Sequence, residues 1–127
     1  MKTPRAYHIF AALAGLLGLY GIAASAIAAH AIPDAHAAAR VSTAALYALI
    51  HAAVLLGWSN KGLPEILVKG LLVCGVVFFS GSLTLTYGVG LSGFTKLAPI
   101  GGTILLLGWF SLILASVRSA LTSSRTL

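Results

Sequence analysis

Acidic side chains are almost missing from this 127-residue chain, which holds two Asp and Glu together against eight Lys and Arg. Charged residues of both signs make up only 8% of positions, whereas the exterior of a water-soluble domain needs about 25 to 35%. That shortage excludes a soluble domain of this size. Cysteine is nearly absent as well, and a lone Cys74 cannot pair within the chain, so a disulfide scaffold is excluded. No basic run or patterned patch accompanies the net charge of +6, so nucleic acid is not expected as a partner. What the chain does have is apolar surface. Hydrophobic residues fill 59% of positions and mean hydropathy is +1.02, which excludes a disordered tail and identifies a membrane protein.

A spanning helix needs about 20 mostly apolar residues, because each rises ~1.5 Å across a ~30 Å hydrocarbon core. Four such stretches fit, at about 9–32, 41–58, 66–87 and 98–117. Pro33 closes the first, since it lacks a backbone donor and disfavours helix in the residue before it. A turn from Ser59 to Pro64 ends the second, and the join Gly88, Gly90, Gly93 follows the third. Pro99 suits the first turn of the fourth. The fold expected is all-α and integral to the membrane, a four-transmembrane-helix bundle forming one domain over 1–127.

Cytoplasmic segments keep an excess of Lys and Arg. Lys2, Arg5, Lys61, Lys69, Arg118 and Arg125 fall at the termini or the middle join, against Arg40 and Lys96 in the other two joins. Six against two puts both termini and the middle join in the cytoplasm. The string Ala24-Ser25-Ala26 after an apolar run imitates a signal-peptidase site. The run of about 24 residues exceeds the usual 7 to 15 of a signal peptide, so retention is expected.

Polar groups inside spans are costly and tend to face the bundle interior. His36, Arg40, Thr43, Tyr47 and His51 are spaced 4, 3, 4 and 4, which at 100° per residue keeps them within an arc of about 80°. One face of the second span is therefore a polar stripe running inward to His51. His30 lies roughly 10 Å shallower than His51 but near the level of Tyr47. The depths suit a His30–Tyr47 hydrogen bond and exclude a metal shared by the two histidines. With no carboxylate or second thiol in a span, no metal site is expected. Trp109, ten residues into the fourth span, sits at mid-depth and needs a partner for its indole N–H. Tyr20 and His51 fall at a similar depth, so a layer of Tyr20, His51 and Trp109 is expected, with volume filling by Trp109 the plain alternative. Ser80, Thr84 and Tyr87 share one face of the third span, and Ser82 and Thr86 another. Such hydroxyls commonly join helices, and Gly15, Gly18, Gly21, Ser25 and Ala29 in the first span, with Gly101, Gly102 and Gly108 in the fourth, are expected to allow close helix approach.

Four ordered motifs carry a resemblance to a known family. They are Ala-Ala-His30-Ala-Ile; Thr43-Ala-Ala-Leu-Tyr47-Ala-Leu-Ile-His51-Ala; Phe79-Ser80-Gly81-Ser82-Leu83; and Pro99-Ile100-Gly101-Gly102 through Leu107-Gly108-Trp109. In this combination the chain resembles the domain of unknown function 423 family of small four-span inner-membrane proteins, related to eukaryotic transmembrane protein 256. It departs at Ala28 and Ala98, where the family usually has Gly and Thr. The resemblance implies no established activity and transfers no catalytic residue.

The functional expectation is a structural or accessory component of a membrane assembly, not an enzyme and without a cofactor. Its partners would be the lipid bilayer and either further copies of itself or a larger membrane complex. His30, Thr43, Tyr47, His51, Tyr20 and Trp109 form the candidate intramembrane polar cluster. Two alternatives use the same residues: a proton-coupled small-molecule carrier running along the Tyr47/His51 stripe, and a haem- or quinone-binding redox subunit using His30 or His51.

Overall fold

The computed structural model describes residues 5–60 and 62–124. Four long helices carry the chain: α1 Arg5–His30, α2 Ala35–Gly57, α3 Leu63–Leu83 and α4 Leu97–Ser123. A π-helical turn, Thr84–Gly88, extends α3, and a single 3-10 turn, Ser92–Phe94, leads into α4. Among the described residues there is no strand, and all four helices are long and apolar enough to cross a membrane. The protein is an all-α membrane protein.

The helix limits follow from local chemistry. α1 stops at His30, three residues short of Pro33. α2 begins at Ala35, well before the apolar stretch at 41, because the Asp34 carboxylate accepts the Ala37 backbone N–H at 2.7 Å and caps the first turn. Gly62 precedes α3 with φ +80, a left-handed conformation open to glycine, and Pro64 follows in the first turn. The π turn begins where the backbone N–H of Val89 reaches the Thr84 carbonyl at 3.1 Å, five residues back.

Consecutive helices pack antiparallel. Phe10 and Ala14 of α1 meet Ala52 and Leu55 of α2 at one end, while Ala24 and Ala28 meet Val41 and Ala45 at the other. The buried positions of α1 (10, 14, 21, 24, 28) and α2 (41, 44, 45, 48, 51, 52, 55) recur at three and four residues, giving each helix one inward seam. These seams are mostly Ala, so the backbones lie close. A central cluster of Ala48, Val68, Leu72, Val76 and Leu105 joins α2, α3 and α4. α2 and α3 bury 39% of their most apolar windows against 17% for α1 and α4, so the middle pair forms the centre of the bundle.

Contact is tightest along the α3–α4 seam. A side chain added at Gly101 would lie 2.8 Å from the Gly75 carbonyl oxygen and would collide with the Phe79 backbone nitrogen. Only hydrogen fits between the two backbones there, and Leu72 fills the corresponding space at Gly108.

One ion pair lies inside the bundle. Lys69 is 2% exposed, and its Nζ donates to Glu65 Oε1 at 2.7 Å with the Phe10 ring centroid 5.7 Å away. The sequence count placed Lys69 in or beside the middle join, as an orientation charge. It is instead enclosed between α1 and α3, where the Glu65 carboxylate one turn earlier supplies its counter-charge.

Candidate functional site

The polar stripe of α2 is realised with its members in different surroundings. His36 is exposed and meets the edge of the Tyr87 ring at 5.6 Å, and Thr43 Oγ1 donates to the Ala39 carbonyl of its own helix at 3.0 Å. His51, at the inner end, is 3% exposed.

His51 is tied at both ring nitrogens. Its Nδ1 lies 2.7 Å from the Tyr47 carbonyl oxygen, which can only accept, so Nδ1 carries the proton. Nε2 is then the acceptor, and the Trp109 indole Nε1–H donates to it at 3.1 Å. Backbone and indole together assign the neutral Nδ1–H tautomer, with neither ring nitrogen left over. A second proton on Nε2 would set N–H against N–H and break the link to α4. This bond joins α2, six residues before its end at Gly57, to the middle of α4, and the two rings meet at an interplanar angle of 68°.

Beside the pair lies a cleft of about 350 Å³ between α2, α3 and α4, lined by Tyr47, His51, Phe79, Leu105, Leu106 and Trp109. Tyr47 and Phe79 form its inner corner, with ring centroids 4.6 Å apart. Tyr47 and Trp109 are each more than a third exposed on the outer surface of the bundle, so the cleft opens sideways, toward where lipid would lie. Among the described residues the Tyr47 hydroxyl has no hydrogen-bond partner.

Tyr20 does not join His51 and Trp109. Its hydroxyl pairs with the Thr84 hydroxyl and lies 3.4 Å from the Ser80 carbonyl oxygen. Ser80 Oγ in turn donates to the Ala44 carbonyl at 2.8 Å, so this second polar node ties α1, α2 and α3. Matching depth had grouped Tyr20 with His51, but the Tyr20 hydroxyl turns to the end of α3, at the level of Ala44, seven residues along α2 from His51. The expected His30–Tyr47 bond is also replaced. Ala45 faces α1, and Tyr47, two residues or about 200° further round the helix, faces Phe79 instead. His30 is exposed at the end of α1.

Among the described residues no three His, Cys, Asp or Glu side chains converge on one point. The hydroxyls of the third span do join helices: besides Ser80 and Thr84, Ser82 Oγ donates to the Phe94 carbonyl in the α3–α4 join. Among the described residues, Thr86 Oγ1 alone is a buried side-chain oxygen without a partner. The feature that sequence reasoning missed is the enclosed Glu65–Lys69 pair. Its signal was present, a Glu four residues before a Lys on one helix.

These contacts can be set beside known proteins. A UPF0382 membrane protein of Haemophilus influenzae is 30% identical over 114 residues, covering 84% of this chain and 92% of its own. Another UPF0382 membrane protein, from Staphylococcus aureus, is 36% identical over 50 residues, covering 39% of this chain and 41% of its own. No solved structure matches at a significant level. The family described as "Protein of unknown function (DUF423)" matches residues 24–102, from the last two turns of α1 through Tyr47, His51 and the Gly101 contact. With most of the bundle inside that match, the chain belongs to the DUF423 family of membrane proteins.

Proposed function

We propose that the protein is a non-enzymatic accessory component of a membrane assembly, and that the Tyr47 cleft receives a helix from a neighbouring subunit. The observation that carries this reading is the unmatched Tyr47 hydroxyl in a cleft open to the bilayer. Hydrocarbon offers no acceptor, and an unmade hydrogen bond costs several kcal/mol there, of order 2 to 7. A carbonyl or hydroxyl on a partner helix at the same depth removes that cost. The neighbour is a second copy of this chain or a larger complex.

His51 argues in the same direction. Both its nitrogens are engaged, so relaying a proton or ligating a haem iron would first break the link to Trp109. The two acidic residues, Asp34 and Glu65, stand at helix ends rather than at mid-depth. This weighs against the proton-coupled carrier. The quinone form of the redox reading keeps one supporting observation: four rings line the cleft, and a lipid-soluble carbonyl compound could accept from Tyr47.

The membrane is the bacterial inner membrane, with both termini cytoplasmic. Arg5 and Arg118 lie at the end of the bundle that holds the termini, and Arg40 and Lys96 at the other. Lys2, Lys61 and Arg125 belong to the same count but lie outside the described residues. Removing the enclosed Lys69 leaves five against two, which keeps the orientation. A reporter active only in the cytoplasm, fused after Leu127, should be active.

A photo-crosslinking residue at Leu106, on the cleft rim, tests the partner reading in native membranes. A protein adduct of defined mass is expected, at twice the chain mass for self-association. Adducts to lipid alone would overturn the reading, and a quinone adduct would replace it with the redox alternative.

A further inference from the structure

A second groove lies between α3 and α4 at the end of the bundle that holds the α3 N-terminus. Its volume is about 390 Å³, and its walls are Leu67 and Leu71 on one side and Ser111, Leu114 and Ala115 on the other, with Arg118 at its mouth. The groove follows from the seam beside it. At Gly101 and Gly108 the two helices touch, whereas beyond Gly108 the small Ser111 and Ala115 leave space that Leu67 and Leu71 do not fill.

Among the described residues Arg118 has no acidic partner. Only two acidic residues exist; Asp34 caps α2 at the opposite end, and Glu65 is held by Lys69. The Arg118 backbone stands about 12 Å along the axis from the midpoint of α4, and its long side chain spans the remaining distance to the edge of a ~30 Å hydrocarbon core, where phosphates lie. Pro64, in the first turn of α3, borders the same mouth, and that turn has no side-chain cap. Its backbone N–H groups add partial positive charge to the guanidinium.

An apolar slot leading inward from an uncompensated cation at headgroup depth matches one kind of molecule. We propose that this groove binds an anionic glycerophospholipid, with one acyl chain between α3 and α4 and the phosphate on Arg118. A guanidinium suits that phosphate because its N–H donors form a planar fork onto two oxygens. The lipid supplies the counter-charge that the chain lacks, and fills space that the helices leave open.

The test is lipid binding to the intact protein in mild detergent, read by native mass spectrometry with dioleoylphosphatidylglycerol and dioleoylphosphatidylcholine. The wild type should bind the glycerol lipid about five- to tenfold more tightly than the choline lipid. Arg118→Gln should abolish that preference. Arg5→Gln, at the same end but outside the groove, should keep it. Ala115→Phe, which fills the groove without changing charge, should weaken both lipids. Inorganic phosphate alone should neither bind nor raise the unfolding temperature. Equal binding of the two lipids by the wild type, an unchanged preference in Arg118→Gln, or an equal loss in Arg5→Gln would overturn the proposal. So would unchanged binding by Ala115→Phe, or protection by inorganic phosphate.

Discussion

Trp109 and His51 lie 58 residues apart in sequence, and the indole N–H of one donates to the imidazole Nε2 of the other at 3.1 Å. The bond works because the Tyr47 carbonyl fixes the His51 proton on Nδ1, leaving Nε2 as an acceptor facing α4. Three helix positions thus make one unit: a backbone carbonyl orients a ring, and the ring holds a neighbouring helix.

Coupling between the two side chains should therefore be measurable. His51→Ala strands the indole N–H, and Trp109→Phe strands Nε2, so each single change is expected to cost about 1 to 3 kcal/mol. The double variant should cost less than the sum, by about 0.6 to 1.7 kcal/mol, the range found for hydrogen bonds between membrane helices. Reversible unfolding of the four proteins in mixed micelles measures this, and strict additivity would show that the bond contributes nothing.

The Glu65–Lys69 pair should respond unequally to loss of its two members. Glu65→Gln leaves a 2%-exposed ammonium without its anion, and loss of one partner of a buried pair costs about 3 to 5 kcal/mol. Lys69→Met removes the buried charge and keeps the volume, with Glu65 partly exposed and able to reach water. It should be near neutral or stabilising. Unfolding temperatures in detergent should rank the wild type and Lys69→Met together, well above Glu65→Gln; the reverse order would mean that Lys69 reaches water in the membrane.

Counting residues along the chain made depth legible, and rotation much less so. Depth follows from a fixed rise per residue, which is why His51 and Trp109 were paired correctly. Rotation about each axis depends on which seam a helix buries, and outside the stripe of α2 the helices are too evenly apolar to give much sign of that. Tyr20 and Tyr47 have Thr84 and Phe79 as their actual neighbours, and depth contributed to the misses: the Tyr20 node reaches the Ala44 carbonyl, seven residues along α2 from His51, and Ala28 packs at Val41, which keeps His30 away from the level of Tyr47. The helices run past their apolar spans: α2 starts at Ala35 under the Asp34 cap, six residues before the apolar stretch, which puts His36 and Arg40 on the same helix as the rest of the stripe. Lys69 was misassigned because charge was taken as a sign of the surface, although Glu65 one turn earlier makes an enclosed site affordable.

The polar node of Tyr20, Ser80 and Thr84 should be less critical than its number of contacts suggests. Ser80→Ala removes the only side-chain bond to the Ala44 carbonyl, but that carbonyl keeps its place in the α2 backbone ladder. A loss of about 0.6 kcal/mol is expected, and the same unfolding assay would contradict it with a loss above about 2 kcal/mol.

Glycine substitutions separate packing from helix propensity most directly. A methyl group at Gly101 would meet backbone on two sides, the Gly75 carbonyl at 2.8 Å and the Phe79 nitrogen, and backbone cannot turn aside as a side chain can. Gly101→Ala should therefore force α3 and α4 apart and cost about 1 to 3 kcal/mol. Gly15 on α1 has open space around its Cβ position. There the change to Ala should be neutral or slightly stabilising, since Ala is the better helix former by about 1 kcal/mol. Equal effects at the two positions would show that the α3–α4 seam is looser than its backbone contact implies. A large loss at Gly15 would instead mean that another helix covers that face in the membrane, and cross-linking from position 15 would then identify it.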